Sequence, residues 1–188
     1  MAHTETARED LAYVASAMRR ESCSPGNPSI YFLWAVLVPI GFSLTDFVPQ
    51  LTGAYWFVAG IGGGLASWWL GARDARRCGI NDLALARRCG LHWIIAALGF
   101  LLAALPMATG VIDPANGASL FLLVGGLTYA LAGIHLERGI LPSGILMLAA
   151  YVALLLFHPP YLWTIAGIVI AISLAWSGFA TLRAGPRQ

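Results

Sequence analysis

The chain has 188 residues, is 59% hydrophobic and only 11% charged, and has a mean hydropathy of +0.74. A soluble domain carries roughly 25% charged residues, and a soluble fold of this length has no core large enough for so much apolar surface, so lipid is the expected solvent. The net charge is +2 with no basic stripe, which argues against a nucleic-acid partner.

All eleven basic residues are arginine, a bias read as codon usage of a GC-rich bacterial genome. Cys23, Cys78 and Cys89 are an odd count without a CxxC pair, which is no disulfide framework.

Residues 1–29 form a charged segment. Thr6 followed by Glu9 reads as a capping box. Behind it Leu11, Val14 and Met18 recur at i, i+3 and i+7, opposite Arg8, Asp10 and Arg20. This predicts an amphipathic helix on the inner leaflet, on a protein partner or on the spans. The first apolar stretch lies behind Pro25 and Pro28 and exceeds the h-region of a secretory signal, so no cleavable signal peptide is expected.

Six apolar stretches follow, of 17–20 residues each: Ile30–Phe47, Ala54–Leu70, Leu91–Met107, Ala118–His135, Ile140–Phe157 and Tyr161–Ala180. At about 1.5 Å per residue each reaches near 27 Å, close to a hydrocarbon core of about 30 Å. None has a charge in its middle, and backbone in lipid must satisfy itself, so helices are expected. The fold is read as all-α, a polytopic transmembrane helical bundle of about six spans over residues 30–180, with a tail at 181–188. Pro39 and Pro142 are expected to kink or shape their helices. Asn81 is placed to cap a second short helix through Arg88, and Glu137–Gly139 to turn the chain between spans four and five.

All eleven arginines fall before span one, after six, or in the connections after two and four. The positive-inside rule then puts both termini in the cytoplasm of a bacterial inner membrane. Asp46, Asp113 and His158 fall on the other side. Tyr55, Trp56, Tyr161 and Trp163 are read as an aromatic belt at the outer ends.

The even spans share small residues: Gly60, Gly64, Ser67 and Gly71 in span two, Gly126, Ala130 and Gly133 in span four, Gly167, Ala171 and Gly178 in span six. Such a face lets helices approach closely in lipid. It suggests that the even spans form the interior. It suits three similar hairpins, but also the general habit of membrane helices to contain Gly and end in Arg, and both readings stay open.

His92 opens span three and His135 closes span four at the same depth, with Cys89 one turn before His92. Imidazole and thiolate ligate metals, and paired imidazoles ligate haem; solvated side chains at helix ends are the simpler account, and neither metal nor haem is expected. His158-Pro159-Pro160 reads as a turn, and Asp46 as a cap on the outer end of span one, favoured over a cation site. Ser43, Thr45, Ser67, Thr128, Tyr129, Ser173 and Ser177 are explained by hydrogen bonds between helices. No carboxylate or arginine lies mid-span, where ion-coupled transporters place one, and no catalytic motif or phosphate loop occurs, so an enzyme is not expected.

The stretches Glu9-Asp10-Leu11-Ala12-Tyr13-Val14, Ile30-Tyr31-Phe32-Leu33-Trp34 and residues 125–136 resemble small uncharacterised bacterial six-span membrane proteins with an N-terminal amphipathic segment. The resemblance implies no known activity. The favoured reading is a non-catalytic membrane protein that anchors or regulates a cytoplasmic partner, without cofactor. The alternative is a transporter or channel for a small neutral or hydrophobic solute, with a redox protein binding haem or metal less favoured.

Overall fold

A computed structural model describes residues 27–78, 83–114 and 117–184. The amphipathic helix expected within 1–29 and the tail beyond residue 184 lie outside the described residues, as does Asn81. The architecture is all-α, as the apolar runs require. Among the described residues there are six helices, α1 (Pro28–Phe47), α2 (Pro49–Cys78), α3 (Leu83–Ala108), α4 (Ala118–His135), α5 (Leu141–Phe157) and α6 (Leu162–Ala184), with a 3₁₀ turn at Arg138–Ile140 before α5.

Five of them, α1 and α3 to α6, are long and apolar enough to cross a membrane. Their exposed faces carry large apolar side chains such as Val36, Ile95, Leu101, Leu131, Leu156 and Phe179, a surface that only a bilayer or another apolar partner covers stably. The chain is therefore described as a multi-pass integral membrane protein. The sixth, α2, is the longest at 30 residues. Gly60, Gly62, Gly63 and Gly64 dilute its centre, and its last turns are the polar Ala72–Cys78 stretch. Those turns continue the helix, and likewise Leu83–Arg88 is continuous with α3 instead of forming a separate short helix. Strong helix formers without Pro allow both extensions.

The packing does not follow the hairpins. α1 packs most extensively on α6, and α4 on α5, so the two closest pairs join helices of different hairpins. α2 rests mainly on α1, and α3 mainly on α4. The result is a core of α1, α6, α5 and α4 with two flanking helices.

Glycines mark the close approaches. A Cβ on Gly126 would lie 2.7 Å from Leu148, one on Gly133 would lie 2.5 Å from the Leu141 Cα, and one on Gly144 would run into the Ala130 backbone. Between α6 and α1, a Cβ on Gly167 or Gly178 would meet Phe42 or Phe32 at 2.9 Å.

The expected stripe divides on α2. Cβ atoms on Gly60 and Gly64 would meet nothing within 4 Å, and one on Gly71 only Ile30 at 4.0 Å. Here α1 docks on the adjacent face instead, over Gly63, where Trp34 and Leu37 come within 3.0–3.2 Å of a built Cβ. Trp34 reaches past that glycine to donate to Ser67 Oγ at 3.0 Å. α2 thus stands at the flank, while the other even helices, α4 and α6, lie in the core.

Pro142 sits in the first turn of α5, where its missing N–H is no loss, and starts that helix. Pro39 lies inside α1, and close to it the Leu37 carbonyl accepts the Tyr55 hydroxyl at 2.7 Å.

Candidate functional site

The two ends of the bundle are built differently. Opposite the arginines the core is aromatic. The Phe42 ring meets Trp163 at 5.1 Å, Phe121 at 5.5 Å and Trp56 at 5.9 Å, all edge to face. Trp163, expected in an interfacial belt, is buried, and its indole donates to the Pro114 carbonyl at 2.7 Å. Trp56 and Tyr55 also turn inward, packing over Gly41. Tyr161 alone of the four is exposed, stacked on Phe47 at 5.3 Å.

Asp46 does cap a helix, but not its own. Its Oδ2 accepts from the Thr164 amide and hydroxyl, both at 2.7 Å. Those groups belong to the first turn of α6, whose positive dipole end suits a carboxylate. The cap stitches the last turn of α1 to the first of α6. His158-Pro159-Pro160 is the turn it was read to be, with His158 in the left-handed region at φ 43°.

At the arginine end the interior is polar. Ser143 of α5 donates to the Ser173 carbonyl at 2.7 Å and lies 2.8 Å from Ser177 Oγ. One turn further along α6, Thr181 Oγ1 is 2.9 Å from the Ser177 carbonyl and 3.1 Å from Glu137 Oε1. All four hydroxyl residues are buried. Glu137 Oε2 and Ser173 Oγ are buried with no hydrogen-bond partner among the described residues. This run of hydroxyls ending on a carboxyl is the candidate site.

An aromatic layer flanks it. Tyr129 packs on Tyr31 at 6.2 Å and on Trp93 at 5.5 Å, and Trp93 touches His92 at 5.2 Å. Tyr31 has Glu137 and Cys89 as electrostatic neighbours, and His92 has His135. His92 and His135 thus share one end of α3 and α4, as their positions suggested. His92 and Cys89 are half-buried and His135 is exposed. Among the described residues His92 Nε2 is buried with no hydrogen-bond partner, and no three His, Cys, Asp or Glu side chains are placed to share a metal ion.

The polar residues expected within spans divide by role. The Ser67 and Ser177 hydroxyls bridge helices, to Trp34 and Ser143, whereas Ser173 meets Ser143 through its backbone carbonyl alone. Thr45 returns its hydroxyl to the Gly41 carbonyl one turn back, and Ser43 lines a shallow groove on α1 with Pro39, Ile40, Leu44 and Phe47. Ser143, Thr181, Thr164 and Glu137 are the participants that composition alone did not single out. A signal was present for Thr181: with Ser173 and Ser177 it recurs every four residues, one face of a helix.

No protein-family model matches the chain, and neither does any curated protein or solved structure.

Proposed function

We propose that this chain is a six-span protein of a bacterial inner membrane, both termini cytoplasmic, that anchors or regulates a cytoplasmic partner. The observation that carries this reading is the convergence of polar segments at one end. Asn27, before α1, donates to the Leu70 carbonyl of α2 at 3.2 Å, and Glu137, after α4, meets Thr181 of α6. The start of α1, the last third of α2, the α4–α5 turn and the end of α6 therefore lie at one end of the bundle. These elements, the start of α3 and the chain before α1 and after α6 carry every arginine. Arg73 folds over the Trp69 ring at 5.3 Å, which suits a headgroup boundary just there. Residues 5–21 and 73–88 hold eight of the eleven arginines and lie on helical or expected helical segments, which gives a partner a charged surface to recognise.

Two measurements test it. A reporter active only in the cytoplasm, fused after Gln188, should be active, and one active only outside, inserted at Asn116, should be active too; silence of either expressed fusion overturns the topology. Deleting residues 1–22 should leave the helices inserted while a specific protein crosslinked in native membranes is lost. Solute movement in liposomes by the truncated protein, with no partner captured, would transfer the case to the small-solute transporter.

A further inference from the structure

The membrane part of α3 is built from a seven-residue repeat. Residues 90–96 read Gly-Leu-His-Trp-Ile-Ile-Ala, residues 97–103 read Ala-Leu-Gly-Phe-Leu-Leu-Ala, and Ala104-Leu105 begin the pattern again. Two turns of an α-helix take about 7.2 residues, so each place in the repeat keeps close to one line along the helix.

One side of the repeat is occupied. Ala96 and Ala103 are buried. Trp93 and Phe100 reach the α4 rings of Tyr129 at 5.5 Å and Phe121 at 6.2 Å. A Cβ on Gly99 would stand 3.2 Å from Val124 of α4. The other side is open. Leu91, Leu98 and Leu105 form its central line, with Ile94 and Leu101 between them, and all five are 48–69% exposed. Large residues, Ile95 and Leu102, run along one edge of that line, and small ones, Gly90, Ala97 and Ala104, along the other.

A bilayer covers any apolar surface, so exposure alone names no partner. Two features of this side do. Lipid requires apolar side chains but no period, whereas a leucine line recurring every two turns is what a left-handed helix pair needs for its knobs to enter holes along the whole contact. The two edges are also complementary in size. Two copies inserted in the same sense run parallel, and the small edge of each helix then lies along the large edge of the other. Gly90 faces Ile95 of the second copy, and Ala97 faces Leu102 of the second copy. A two-fold axis makes each of these contacts twice.

We propose that two copies of this chain associate within the membrane through α3, parallel, along the Leu91–Leu98–Leu105 line. Arg87 and Arg88 lie one turn before that line on the same side and are exposed. They would set like charges together, so the contact begins at Gly90 and the helices part toward the arginine end. This association goes beyond the anchoring reading and requires no cytoplasmic partner.

Subunit counting by single-molecule photobleaching of the labelled full chain in liposomes tests it. As the protein-to-lipid ratio rises, the wild type should pass from one subunit to two; a chain that stays monomeric throughout overturns the proposal. Ala97→Leu fills the small edge and should weaken dimerisation about tenfold. Adding Leu102→Ala to the same chain exchanges the two edges and should restore most of the loss. Dimerisation untouched by Ala97→Leu, or no recovery in the double variant, would place the contact elsewhere and end the α3 assignment. Should Ala97→Leu fail to fold, crosslinking decides. With Cys23, Cys78 and Cys89 replaced by serine, Leu98→Cys should form a disulfide between copies on mild oxidation. Leu131→Cys on α4, where the leucine is 49% exposed, should not. Equal crosslinking at the two positions overturns the proposal.

Discussion

A Cβ on Gly144 of α5 would enter the Ala130 backbone of α4, whereas one on Gly64 of α2 would meet nothing within 4 Å. The two glycines look alike in sequence, each among small residues in an apolar run. At the first, backbones touch, and dispersion over that contact replaces the hydrophobic drive that lipid removes. At the second, α1 has docked one residue round the helix, on Gly63, and the Gly60–Gly64 face is turned outward. A small-residue face therefore records the capacity for close approach, not the helix that uses it. Exposure follows the same division. Leu122 of α4 is 0% exposed, and Trp68 of α2 is 75% exposed.

The comparison can be broken by substitution. The largest expected effect is at the core contact. Gly144→Leu should force α4 and α5 apart at a cost of about 3 kcal/mol, seen as loss of a monodisperse species in detergent or a sharply lowered melting temperature. Melting close to wild type would mean that the two backbones do not touch.

The next effect is at the cap between the terminal helices. Asp46→Ala removes the one oxygen that accepts from both the Thr164 amide and hydroxyl and the carboxylate at the α6 N-terminus, which should cost about 1–2 kcal/mol. Asp46→Asn should recover part of it. Thermal melts of the two variants check the order.

Smaller still is the contrast within α2. Gly63→Ala crowds Trp34 and Leu37 side chains that can yield, and should cost about 1 kcal/mol. Gly64→Leu should fall within about 0.5 kcal/mol of wild type. If Gly64→Leu is the worse of the two, the outward face of α2 is covered in the membrane by something beyond this chain, and an oligomer measurement in nanodiscs would find it.

Much of the helical frame was readable in advance because it rests on run length and on the cost of bare backbone in lipid. The apolar stretches of spans four to six locate α4, α5 and α6 to within a few residues. The ends of α2 and α3 were not readable in this way, since Ala72–Cys78 and Leu83–Arg88 are polar and yet good helix formers. The candidate site was only half legible. Ser173 and Ser177 stood out as polar residues inside a span, but Glu137 read as a turn residue and Ser143 as nothing in particular. Their importance comes from α5 and α6 lying side by side, which sets Ser143 against Ser177 and brings Thr181 up to Glu137.

By itself, the sequence determined the solvent, the class of structure and the end at which charge collects, because composition and periodicity act locally and every apolar run faces the same requirement to bond its own backbone. Only the tertiary structure decided that α1 pairs with α6 and α4 with α5, that Asp46 caps a helix more than 100 residues away in the chain, and that Gly63 rather than Gly64 meets α1. Those outcomes depend on which of several equally apolar faces meet, a choice set by side-chain shape and by a few directional hydrogen bonds between residues far apart in sequence.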